Sequence, residues 1–197
     1  MSKQGPHRWV RYRRKREGKT DYRYRAKLLS SGKPRLVARI SLKHVRAQII
    51  SPDSDGDRVL ASAFSKELSK WDWKGYTSNV PAAYLVGLLC GYRGKDSGVE
   101  ECVLDIDKFV PSRQAKIFAV LKGAIDAGLD ISHEDGVLPN DERCKGEHIS
   151  SYAEDLKADE EEYKSQFGGY LEKNLSPEDL PEHFKQVKQA ITTQYGE

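Results

Sequence analysis

Two apolar runs, RLVARIS and KHVRAQII, follow one another between residues 35 and 50 and restrict the fold more than any other stretch. With a turn at Leu42 and Lys43 they form a β-hairpin whose faces can be checked one pair at a time. One face pairs Ile40 with Val45, Ala38 with Ala47 and Leu36 with Ile49, all apolar. The other pairs Ser41 with His44, Arg39 with Arg46 and Val37 with Gln48. A slip of one residue would scramble both faces, so the pattern selects this register and demands a core against the apolar side. Arg39 opposite Arg46 is unfavourable by a few tenths of a kcal/mol or more unless an anion lies across the pair, and a phosphate backbone is such an anion.

The segments around the hairpin extend the sheet. Upstream, Thr20 or Asp21 can cap a short helix reaching Ser30, with Leu28 and Leu29 packing and Gly32 as its stop. Downstream, SPDSDGD reads as a polar turn. It is no calcium loop, because counting from Asp53 the glycine comes fourth and Phe64 occupies the position of the bidentate glutamate. Residues 58–64 make a third strand. In the loop beyond it, Trp71, Trp73 and Tyr76 serve either to stack on bases or to cover a sheet edge. Asn79 and Pro81 open a helix with Ala82, Leu85, Val86, Leu89 and Cys90 on one stripe. VEECVLDI follows as a buried strand, then a helix with Ile117, Val120, Leu121, Ala124 and Ile125 on one face, stopped by Gly128.

This order predicts an α/β fold with a mixed sheet in three layers. The chain divides into a basic arm (1–18) expected to order on binding, an α/β core (19–130), and an acidic, mainly helical extension (131–197). In the extension, Ser176–Asp179 start a helix that docks through Leu180, Phe184, Val187 and Ile191.

Charge is split along the chain. Residues 1–50 carry sixteen Lys or Arg against Glu17 and Asp21, whereas from Glu134 onward sixteen Asp or Glu face seven Lys or Arg. One end is built to meet a polyanion. Between Arg8 and Lys27 the cations interleave with Trp9, Tyr12, Tyr22 and Tyr24, placing guanidinium forks for phosphates beside rings for unpaired bases, which is what an RNA surface needs. Cys90, Cys102 and Cys144 are too few and too scattered for a disulfide framework and read as reduced core thiols of a cytosolic protein. No apolar segment near the N-terminus could serve as a signal peptide, none elsewhere reaches the roughly 18 residues of a membrane span, and no cofactor is expected.

Catalysis finds one foothold. Asp105 and Asp107, at i and i+2 near a strand end, point the same way, as two-metal nucleases require, but no clear third ligand accompanies them; the alternative is turn or capping aspartates. Cys144 and His148 have ligand-like spacing without a Cys-x-x-Cys companion, so no metal site is expected.

The segments RRKREGKTDYRYRAKLLSSGKPRLVARISLKHVRAQII, NVPAAYLVGLLCG, EECVLDI, FAVLKGAIDAGLDISH and RCKGEHI, in this order, resemble the archaeal form of the universal ribosomal protein L18 family, related to eukaryotic ribosomal protein L5. The similarity runs from Pro6 to Ile149 and continues more weakly through LPEHFKQVKQ. The resemblance implies a fold of the translational-machinery, ribonuclease H-like type without its catalytic constellation. It implies a structural constituent of the large ribosomal subunit in the cytoplasm, which binds 5S rRNA and anchors it to the large-subunit (23S-type) rRNA in the central protuberance, among neighbouring large-subunit proteins. Family RNA contacts would fall at Arg8, Arg11, Arg13, Arg14, Arg16, Lys19, Tyr22, Arg23, Lys33, Arg35, Arg39, Ser41, Lys43 and His44. The residue pattern itself adds Tyr12, Lys15 and Arg46. The competing function is an RNA-processing metal nuclease using Asp105 and Asp107.

Overall fold

The computed structural model describes residues 10–134 and 136–196. β1 (Arg35–Ile40) and β2 (Val45–Asp53) pair antiparallel in the expected register, with Ile40 opposite Val45, Ala38 opposite Ala47, Leu36 opposite Ile49 and Arg39 opposite Arg46. Leu36, Ala38, Val45, Ala47 and Ile49 are fully buried. Burying five such side chains outweighs any alternative register, since each contributes on the order of 1–3 kcal/mol.

The SPDSDGD segment is not a free loop. β2 continues through Ser51, Pro52 and Asp53, and β3 (Gly56–Phe64) starts at Gly56, so that only Ser54 and Asp55 turn the chain. A bulge between Ile49 and Ile50 resets the pairing. This ribbon runs past the edge of the core, so its side chains have nothing to alternate against and the strand leaves no apolar pattern.

β4 (Val103–Asp105) is shorter than VEECVLDI suggests and lies parallel to β1, completing a sheet of order β3-β2-β1-β4. Such a pairing needs a crossover, and α3 (Val80–Asp96) carries the chain from one sheet edge to the other. Asn79 caps α3 by accepting from the Ala82 amide at 2.9 Å. α4 (Lys116–Asp126) crosses α3 at backbone contact. A Cβ at Gly87 would stand 2.1 Å from the Val120 carbonyl oxygen, and one at Gly123 2.1 Å from that of Tyr84.

Among the described residues the short helix of residues 22–29 lies over the outer sheet face, and on the opposite side α5 (Asp141–Lys145), α6 (Glu147–Leu156), α7 (Glu160–Leu171) and α8 (Leu180–Tyr195) follow, with α5 and α8 packed on α3. Leu180, Phe184, Val187 and Ile191 are buried and join the same core as the sheet. Trp73 is buried with its ring stacked 5.3 Å from His183, and Trp71 Nε1 donates to Gln194 at 2.9 Å, so both tryptophans serve as cover. α3 is buried on nearly all sides because it has the sheet on one flank and these helices on the other. The outer sheet face, carrying Arg35, Arg39 and Arg46, is left to the N-terminal segment.

Candidate nucleic-acid interface

The basic segment has a defined shape from Val10 onward; Arg8 and Trp9 lie outside the described residues. α1 (Arg13–Arg16) is one exposed turn of cations. Glu17 bridges Arg13 at 3.6 Å and Lys19 at 2.9 Å, which fixes the end of that turn. Gly18, at φ +69°, takes the left-handed conformation that reverses the chain. Lys108, from the loop after β4, donates to the Gly18 carbonyl, and Arg14 Nε donates to Thr20 Oγ1 at 2.8 Å. α2 (Tyr22–Leu29) then starts at Asp21, whose carboxylate accepts from the Arg23 and Tyr24 amides. Those two hydrogen bonds hold the Asp21 carboxyl below its usual range. Tyr12 packs against Tyr22 with ring centroids 5.2 Å apart.

This turn-and-helix pair encloses a cavity of about 370 Å³ lined by Arg11, Lys15, Arg23 and Lys108, with Thr20 and Asp21 between them. Four cations border one concavity, Lys108 held to the Gly18 carbonyl and the other three exposed on the turn and helix, and such a grouping matches the demands of a phosphate site.

A second cleft, about 440 Å³, separates α2 from the outer sheet face. Here Arg35 departs from its expected role. It is 2% exposed, pairing with Asp105 through Nη1 and with Asp57 through Nη2 at 2.9 Å. Asp57 also accepts from Arg25 at 2.7 Å. Burial raises the Asp57 carboxyl, but the two guanidinium groups outweigh burial and hold it below its usual value. Arg35 is therefore a structural cation that ties β1, β3 and β4 together, and it is not available to RNA.

The hairpin tip is the third part. Ser41 and His44 close it through a backbone bond of 2.8 Å, and the segment before α3 clasps it from outside. Tyr76, Thr77 and Ser78 hydroxyls donate to the carbonyls of Leu42, Lys43 and Ser41 respectively. Lys43 and Leu42 are thrust into solvent, Leu42 being 91% exposed. His44 lies half-buried, 4.9 Å from the Phe64 ring, and Arg46 sits over the same ring at 5.0 Å. Arg39 is bridged to Asp107 at 3.2 Å yet stays exposed. The Arg39–Arg46 opposition is thus relieved inside the protein, by a carboxylate on one arginine and a ring under the other, and needs no external anion.

Among the remaining candidates, Arg11, Tyr12, Arg13, Arg14, Lys15, Arg16, Lys19, Arg23, Lys33 and Ser41 are exposed, Lys33 in an ion pair with Glu101, and Tyr22 is half-buried. Lys108 went unnoticed in the sequence, where it sits in a loop with no pattern; only the fold brings it to Gly18. The nuclease alternative loses its basis. Asp105 is buried against Arg35, Asp107 is engaged by Arg39, and the Asp105 carboxylate also accepts from the Asp107 amide at 2.9 Å. Cys144 is buried with its thiol pushed up to about 11, while His148 is at the surface.

A family model described as "Ribosomal large subunit proteins 60S L5, and 50S L18" matches residues 7–97. The large ribosomal subunit protein uL18 of Methanothermobacter thermautotrophicus is 54% identical over 187 residues, covering 95% of this chain and 96% of the relative. The chain belongs to the uL18 family. The span of the family model takes in the basic segment, both hairpins and α3, and so most of the residues of the arginine-rich surface, Lys108 lying beyond it. The alignment to the archaeal uL18 covers nearly the whole chain and so takes in the acidic C-terminal helices as well.

Proposed function

We propose that this uL18-family protein is a structural constituent of the large ribosomal subunit that binds 5S rRNA and anchors it to the large-subunit rRNA in the central protuberance. The observation that carries the reading is the cation-lined cavity of Arg11, Lys15, Arg23 and Lys108. The exposed Lys43 and Arg39 of the hairpin supply a second, separately held point of contact. Phosphate contacts at two separate points on one folded surface fix the orientation of a duplex or loop. The role is structural, with no chemistry assigned to Asp105 or Asp107. The sheet order, with β2 antiparallel to its neighbours and β4 parallel to β1, supports placing the fold in the ribonuclease H-like type.

Titrating 5S rRNA with the protein in magnesium, over a range of salt, tests the reading. A stable complex with uncleaved RNA is expected. Lys108→Ala should lower affinity and reduce the slope of log affinity against log salt by about 0.7–0.9, one phosphate contact. An unchanged slope for Lys108→Ala together with Arg23→Ala would remove the cavity from the interface, and cleavage abolished by Asp107→Asn would revive the nuclease.

A further inference from the structure

A groove on the acidic side of the molecule has no part in the reading above. It is a cavity of about 480 Å³ between α6, α7 and the segment before α3, and its walls include Tyr76, Asn79, Tyr152, Gln166, Phe167 and Tyr170. The aromatic wall is built and held in place. Phe167 is buried at the centre, with the rings of Tyr152, Tyr163 and Tyr170 at 6.1, 5.4 and 5.9 Å from it. Asn79 donates to the Tyr170 hydroxyl at 3.2 Å, and the Tyr163 hydroxyl donates to Glu178. Tyr152 and Tyr76 are nonetheless 48% and 47% exposed. Half-exposed tyrosines around a preformed groove are what a binding site leaves open.

The two helices that carry the groove are predominantly acidic, and His148 is the one imidazole in its lining. Residues 147–171 contain seven Asp or Glu against Lys157 and Lys164, and those two lysines pair with Glu178 and Glu160. Glu147, Glu154, Asp155, Glu161 and Glu162 form no ion pair among the described residues. Asp155 lies three residues after Tyr152 on α6 and Glu162 four before Gln166 on α7, so each shares a helix face with a groove residue. Aromatic faces attract cations, an excess of carboxylates on the two helices that carry the groove attracts them further, and the same carboxylates repel phosphate.

We propose that this groove binds an extended, lysine- or arginine-bearing segment of a neighbouring protein. Its place on the molecule fits that role. Tyr76, one wall of the groove, donates to the Leu42 carbonyl at the hairpin tip. A cationic segment seated here therefore lies beside the edge of the RNA surface, where RNA and a basic protein arm can be held side by side without competing for one site. The inference stands on the groove alone and is independent of which RNA the other face binds.

The test uses the full chain and a labelled peptide of alternating arginine and glycine, followed by fluorescence anisotropy, with 5S rRNA binding and thermal unfolding measured on the same variants as controls for folding. Tyr152→Ala is expected to weaken the peptide about threefold to fivefold while Tyr152→Phe keeps it. Asp155→Lys with Glu162→Lys should weaken it more, and Glu182→Lys on α8, which is not part of the groove lining, should leave it unchanged. Equal losses in the groove and α8 reversals would reduce the effect to diffuse charge and overturn the proposal. So would retention of binding in Tyr152→Ala, or a single-stranded oligonucleotide displacing the peptide.

Discussion

Arg35 is the residue at which sequence and structure part most sharply. As a lone arginine in a basic stretch it is indistinguishable from Arg39, yet β1 alternation puts it on the outer sheet face, under α2 and between Asp57 and Asp105. The missing signal was long-range: neither aspartate is near it in sequence, and nothing local announces a buried pair. Arg35→Ala should therefore act on stability, leaving the 5%-exposed Asp105 uncompensated at a cost of about 3–5 kcal/mol by urea denaturation. The salt slope of RNA binding by the folded fraction should not change. Asp57 makes the same network pH-sensitive. Its folded carboxyl lies below the usual value of 3.8, so its contribution is fully present above that value and is lost as pH falls through the folded value. Denaturation midpoints measured downward from about pH 6 should fall steeply only in the acid range, and Asp57→Asn should be less stable at neutral pH with a flatter acid limb.

Elements built on a local pattern were legible, and those built on close approach were not. The hairpin register could be read because each face had its own composition, and Leu180, Phe184, Val187 and Ile191 were visible as a stripe for the same reason. The α3–α4 contact left no such trace, since a glycine in a helix looks like a weakness until a neighbour's backbone is found against it. Alanine substitution should separate the two meanings of helical glycine. At Gly87, the added Cβ meets the Val120 backbone, which cannot swing aside; the helices must part, at a cost of about 1–3 kcal/mol or more. At Gly169 in α7, exposed and with nothing within 4 Å, the same change should stabilise by about 0.5–1 kcal/mol through helix propensity. Guanidinium melts of the two variants check the opposite signs.

At the scale of the molecule, the charge split was plain in the sequence, but its spatial meaning was not. The basic half and the acidic helices meet at the hairpin tip, where Tyr76 touches both, and they share one core through α3. The sequence suggested a self-sufficient core over 19–130, because α3 and α4 each have an apolar face and a sheet to cover; it did not reveal that α3 is apolar nearly all round because α8 needs the other side. Phe184 lies at that junction, its ring 5.4 Å from Tyr84 of α3. Phe184→Ala removes a fully packed ring and should cost about 3–5 kcal/mol. Where that cost appears decides how the chain is organised. In a single cooperative unit, the near-ultraviolet signal of Trp73, stacked on α8 at His183, and the far-ultraviolet signal of the whole chain shift together to a lower midpoint. If the sheet with α3 and α4 stood alone, the Trp73 signal would melt first and leave a second, unshifted transition. The shared burial of Leu85, Leu88, Leu180 and Ile191, all at most 1% exposed, predicts the coincident melt.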